Sequence, residues 1–194
     1  INMLAETNIQ TYDPVFLRHG QIVYSANFIE DLRDDILNKG NEHDLIPQEG
    51  FQEAVCLNDA DVLIIGGRRG AGKSFIMELA PLRFVDNPLF TVNGYRKEED
   101  DIKRGLWNTS KKIYSNIATP KESSFRWVFP SGAVSTYEHL QNENEIDRRF
   151  RGVEIPFIIV DEVTQISFKT FFTLLASNRN SLGIKNQFIG SCNP

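Results

Sequence analysis

Short unbroken apolar runs alternate along this chain with longer stretches in which apolar residues return every three or four positions. Val62-Leu63-Ile64-Ile65, Leu89-Phe90-Thr91-Val92, Ile155-Pro156-Phe157-Ile158-Ile159-Val160 and residues 187–191 are the unbroken runs. Such runs have no polar side to turn toward water, so they predict strands covered on both faces, as in a parallel sheet. Helical spacing predicts helices over 26–38, 50–58, 72–84, 99–117 and 167–177. Phe75, Ile76, Leu79 and Leu82 mark the third of these, which Asp86-Asn87-Pro88 brings to a stop. Ile102, Leu106, Ile113 and Ile117 mark the fourth, and the acidic cluster Glu98–Asp101 suits its N-terminus. Residues 124–129 and 133–137 flank Pro130-Ser131-Gly132, a hairpin pattern. The polar stretch 139–152 reads as a loop. Strands alternating with helices predict a three-layer α/β fold with a mostly parallel sheet and a β-hairpin insertion.

The first strand runs into Gly67-Arg68-Arg69-Gly70-Ala71-Gly72-Lys73-Ser74, a complete Gly-x-x-x-x-Gly-Lys-Ser phosphate loop. Its glycines let backbone N–H groups curl around an anion, and the following helix N-terminus adds favourable partial charge. Lys73 is placed to reach β- and γ-phosphates and Ser74 to put its hydroxyl on Mg²⁺. The fold class is therefore a P-loop NTPase, of the additional-strand, RecA-like kind once the strand-end features below are added. The loop alone leaves kinases, GTPases, transporters and motors open.

Asp161-Glu162 narrows the choice. Four apolar residues precede the pair, which puts Asp161 at the carboxyl end of a core strand, where it holds Mg²⁺, and leaves Glu162 to polarise the attacking water. No Asn-Lys-x-Asp base-reading motif of a GTPase is present. Asn193-Pro194 closes the next predicted strand, where additional-strand ATPases carry a polar sensor of the γ-phosphate. These features predict an ATPase that uses ATP and Mg²⁺.

Composition adds limits. The 194 residues, 41% hydrophobic and 24% charged, suit one globular core. A net charge of −5 confines any nucleic-acid contact to a local basic surface, and Arg148, Arg149 and Arg151 form the densest one. Two cysteines, Cys56 and Cys192, fall short of a disulfide framework and read as buried. With no membrane-length apolar run and no signal pattern, the chain reads as soluble and intracellular. It starts at Ile1 and stops abruptly after an apolar run, which reads as a fragment of something longer.

The phosphate loop with its preceding Gly66, the Phe157–Glu162 strand and the closing Ser-Cys-Asn-Pro resemble the ATPase domain of phage large terminase subunits, the DNA-packaging motors. Strand 89–92 with Arg96-Lys97, the hairpin, and Arg151-Gly152 before the acidic pair follow that family's order, over about 47–194. Residues 1–46 are then an extension packing on the ATPase core. The resemblance implies an ATP-driven translocase of double-stranded DNA, working as a homo-oligomeric ring at the portal vertex in the host cytoplasm. It implies portal protein and small terminase subunit as partners, and no membrane. It also implies roles by position: Arg69 acting on the γ-phosphate, Arg68 beside it, Gln52 reading adenine, and Arg151 reaching the neighbouring subunit's ATP. A C-terminal nuclease, which full-length relatives carry, is not expected in these residues. A helicase-like translocase and a nucleotide-binding switch or scaffold are the competing readings. Helicases favour Ser-Ala-Thr where this chain has Ser-Cys-Asn-Pro, and a switch has no use for Glu162.

Overall fold

The computed structural model describes residues 15–18, 21–24 and 45–193. The helix expected over 26–38 lies outside them. Strands β1 (Val15–Arg18) and β2 (Gln21–Tyr24) form an antiparallel pair of their own. Helix α1 (Phe51–Cys56) leads to β3 (Val62–Gly66), and the phosphate loop connects β3 to α2 (Lys73–Leu79). The helix expected over 72–84 thus changes form: Ala80–Phe84 continues as a 3-10 turn. Pro81 explains the change, because it has no N–H to give the carbonyl one α-helical turn back.

Strand β4 (Thr91–Arg96) precedes a long helical run, α3, made of Glu99–Ile102, a π-helical turn Lys103–Trp107, and Asn108–Tyr114. Then come β5 (Thr119–Lys121), β6 (Arg126–Val128) and β7 (Val134–His139). The loop expected over 139–152 is instead helix α4 (Glu143–Phe150). Only Ile146 and Phe150 turn inward from it, one turn apart, so its apolar stripe is too thin to stand out in a polar sequence. Strand β8 (Phe157–Val160), helix α5 (Phe168–Ser177) and strand β9 (Gln187–Cys192) complete the order.

Seven strands form one sheet in the order β3-β9-β8-β4-β7-β6-β5. The first five are mutually parallel, and β6 and β5 extend the edge antiparallel. The β6–β7 hairpin is the expected one, in register Val128↔Val134; its outer partner β5 has no signal in the sequence. Both faces of the central strands are covered, but edge strand β3 leaves Val62 and Ile64 exposed, so its apolar run is not covered on both faces, contrary to expectation. Phe157, Ile159 and Ile189 join Ile76, Leu79, Trp107 and Tyr114 from α2 and α3 on one side. Ile158, Val160 and Phe188 join Ile146, Phe150 and Leu174 from α4 and α5 on the other. Strand β8 is buried at each position because its side chains alternate between these two cores, which is why its sequence reads as an unbroken apolar run. Cys56 is buried as expected, whereas Cys192 is half-buried beside Gly66.

Candidate active site

In an open parallel sheet, ligands bind at the carboxyl ends of the strands, and here the strand order sets four of those ends in a row. Gly66 at the end of β3 is level with Cys192 on β9, Gly190 with Val160 on β8, and Val160 with Tyr95 on β4. The next residues along are the phosphate loop, Asn193 and Asp161-Glu162, with Arg96 as the last residue of β4 beside them.

The loop takes its shape from glycine. Gly67, Gly70 and Gly72 have φ of 152°, 83° and 75°, and the last two lie in the left-handed region that other residues adopt only at a cost. Lys73 is buried, and its ammonium donates to Gly67 O at 2.7 Å, Arg68 O at 3.0 Å and Asn193 Oδ1 at 3.0 Å. Arg68, Arg69 and Ala71 are exposed along the loop, and Ser74 is half-buried one residue inside the helix. Gln52, which is buried, comes from α1 to lie against the loop. Its Nε2 donates to Gly72 O at 3.4 Å, its Oε1 accepts from Gln48 N–H at 2.8 Å, and a Cβ added at Gly72 would fall 2.1 Å from it.

The acidic pair is held from three sides. Ser191, fully within the core of β9, gives its hydroxyl proton to Asp161 Oδ1 at 2.5 Å and accepts the Glu162 N–H at 3.0 Å. Asn193 donates to Glu162 Oε1 at 3.3 Å while accepting from Lys73, so one amide spans the loop lysine and the strand-end acid. Gln165 donates to Glu162 Oε2. From β4, Arg96 lies 2.9 Å from Asp161 Oδ2 and 3.0 Å from Glu162 Oε1. Glu162 itself has φ 59° and ψ 56°, a left-handed conformation that is strained for a side chain of this size. The Ser191 bond to its N–H offsets part of that strain.

Sequence reading misses Ser191, Gln165 and the chemical part played by Arg96. The level register of Arg96 with the acidic strand is a tertiary fact, and no local motif announces it. Arg151 is not in this row. It caps the C-terminal end of α4 and lines an open cavity of about 580 Å³ between α4 and α5, with Lys169, Phe172 and Arg179. Its neighbour Arg149 is engaged with Glu138 at 2.5 Å, and Arg148 with Glu145 at 3.9 Å.

Hard oxygen donors, the Ser74 hydroxyl and the Asp161 carboxylate, suit a small divalent cation such as Mg²⁺. Among the described residues no group of three or more His, Cys, Asp or Glu forms a closed cage. That donor set matches a cation that completes its shell with water and phosphate oxygens.

Beneath the loop, α2 carries Glu78 into the core. Its Oε2 accepts from Tyr137 Oη at 2.6 Å and Tyr114 Oη at 3.0 Å, tying the phosphate-loop helix to β7 and α3. Burial pushes the Glu78 carboxyl up from 4.5 to about 8, the two tyrosine bonds pull against that, and the Asp161 charge adds to it.

Fold and strand-end geometry together define a P-loop nucleotide-binding domain of the RecA-like class. Within that class, residues 64–194 match the family described as terminase large subunit, T4likevirus-type, N-terminal, and the chain belongs to it. No curated protein matches the chain. Among solved structures it is similar to the HK97 bacteriophage large terminase, at 13% identity and TM-score 0.59 over 76% of this chain and 33% of that one. It is also similar to the large terminase of the thermophilic bacteriophage D6E, at 17% identity and TM-score 0.56 over 70% and 34%. The N-terminal domain of the DNA packaging ATPase from bacteriophage phi29 aligns at 16% identity and TM-score 0.52 over 74% and 78%. The chain therefore spans about a third of the length of the large terminases it resembles.

Proposed function

We propose that this chain hydrolyses ATP with Mg²⁺ and that the hydrolysis drives double-stranded viral DNA into a procapsid. The observation that carries this reading is the row of strand ends in which Asn193 joins Lys73 to Glu162. Lys73 and the loop N–H groups hold the phosphates, and Ser74 with Asp161 hold the cation. Mg²⁺, when bound, neutralises charge between the β- and γ-phosphates. Glu162 takes the proton of the attacking water as general base. Asn193 loses or keeps its two partners according to what lies between them, which suits a γ-phosphate sensor. Arg69, exposed on the loop, is free to meet the γ-phosphate, with Arg68 alongside, and the Gln52 amide reads the adenine edge.

Arg151 acts in trans, on the ATP of a neighbouring subunit in a homo-oligomeric ring. Its place on the outer helical layer, away from its own loop, favours this role. The ring works on double-stranded DNA in the host cytoplasm, with portal protein and small terminase subunit as partners. Among the described residues no helix is long and apolar enough to cross a membrane. Residues 47–194 are the ATPase domain and 1–46 an extension on it, in keeping with the contact of β1 with Ala80–Phe84.

ATP turnover in mixed subunits tests the reading. Arg151→Ala and Lys73→Ala proteins, each inactive alone, should recover activity when combined, because a shared site then has one intact loop and one intact arginine. A mixture that stays inactive contradicts the role in trans.

A further inference from the structure

Arg96 faces two sets of acids at once. Its Nε and Nη2 lie against Asp161 and Glu162, while Nη1 stands 3.9 Å from Asp101 Oδ2 in the first turn of α3. Against the flat side of the guanidinium lies Gly105, in the π-helical turn of α3, where an added Cβ would come within 3.6 Å of Nη1. That distance is ordinary van der Waals contact, so the π-helical turn lies directly alongside the guanidinium. The contact with Asp161 is close, but Nε makes no aligned hydrogen bond with it. At Nε the arginine is held by charge and not by a directed bond. Two adjacent carboxylates need a nearby cation, and Arg96 supplies one at the Asp161 carboxylate that would hold a divalent metal.

We propose that Arg96 is a displaceable counter-ion: it competes with the divalent cation for Asp161, and when the cation arrives Asp101 receives it and Glu162 is freed. The proposal rests on the reading of Asp161 as a cation-holding residue. It gives α3 a direct report of metal-nucleotide occupancy, carried by one side chain that faces acids on both sides. In the metal-free site Arg96 also keeps Glu162 paired, so the base is released only when the cation is in place.

The test uses free Mn²⁺ as probe, followed by electron paramagnetic resonance in the full chain without nucleotide, and repeated as a Mg²⁺ titration of fluorescent ATP-analogue binding. Arg96→Gln should bind Mn²⁺ about threefold more tightly than the parent, the scale of one partly exposed ion pair. Asp101→Asn, at a partly exposed position, should bind Mn²⁺ more weakly by a similar factor, and Arg96→Lys should stay near the parent. The Mg²⁺ needed for half-maximal analogue binding should move in the same directions. Equal or weaker Mn²⁺ binding by folded Arg96→Gln overturns the proposal. If that variant fails to fold, unchanged binding by Asp101→Asn does so. A parent that binds Mn²⁺ but no nucleotide contradicts the proposed ATPase and leaves the Mn²⁺ series to decide the role of Arg96.

Discussion

Residues 67–72 and the strand ends at 96, 161–162 and 191–193 lie together at the carboxyl edge of the sheet, and they hold their shapes by different means. The loop is mostly exposed and is shaped by its own glycines, with Lys73 bonded back to the carbonyls of Gly67 and Arg68 a few residues away. At the strand ends, Glu162 is fixed by partners 29, 31 and 66 positions distant, and Asp161 by Ser191 and Arg96. Local shape survives in isolation, whereas the acidic pair has its geometry only when β4, β8 and β9 are packed side by side. Phosphate binding should therefore tolerate damage at the strand ends, and turnover should not.

Substitutions can separate the two regions. The largest effect outside Glu162 falls on the loop: Lys73→Ala removes the buried ammonium and the partner of Asn193, and turnover should drop by roughly 10²- to 10³-fold with weaker nucleotide binding. A steady-state assay with an equilibrium binding measurement reads both.

Next comes Ser191→Ala, which takes one hydrogen bond from Asp161 and another from the Glu162 N–H. Its kcat should fall about tenfold, equal to about 1.4 kcal/mol of transition-state stabilisation, with KM little changed. Ser191→Thr keeps the hydroxyl and should recover most of the loss. A change in KM alone would place Ser191 with the binding loop and not with the acids.

Gly72→Ala probes the loop's dependence on glycine. A Cβ at φ 75° costs about 1–2 kcal/mol of strain and would also collide with Gln52. Nucleotide affinity should weaken and thermal stability fall by a few degrees, and the melting temperature checks the second.

The smallest effect on turnover belongs to Glu78, whose substitution acts on stability. Because its carboxyl is raised to about 8 by burial, the folded protein keeps a proton that the unfolded chain releases near 4.5. Stability from this group is full below about 4.5, declines as pH rises, and is lost above about 8. Glu78→Gln keeps an acceptor for Tyr114 and Tyr137 and has no proton to lose, so its melting temperature should fall less than the parent's as pH rises from about 5 to about 8.5.

The same contrast explains what the amino-acid sequence can show. The loop, the acidic pair and Asn193 are contiguous motifs beside apolar runs, so their placement at the strand ends is legible from residue order alone. The parallel core is legible too, because a strand buried on both faces writes itself as four apolar residues in a row. Helix α4 is not: two inward residues in a polar stretch give no visible period, and its burial comes from α5 and the sheet. Strand β5 (Thr-Pro-Lys) is exposed throughout and exists only because β6 lies beside it. Ser191 and Arg96 look ordinary in sequence. What gives them a role is strand order, since β9 and β4 flank β8, and that is settled only by packing the whole sheet.

Glu162→Gln tests the central claim most directly, measured as single-turnover ATP hydrolysis and nucleotide affinity on the same preparation. The amide keeps the size and hydrogen-bonding reach of the side chain and loses the base. Hydrolysis should slow by roughly 10²- to 10⁴-fold, the span of general-base catalysis, while affinity stays within about threefold of the parent. Hydrolysis at the parent rate would contradict the assignment of Glu162 and, with it, the reading of these strand ends as a hydrolytic site.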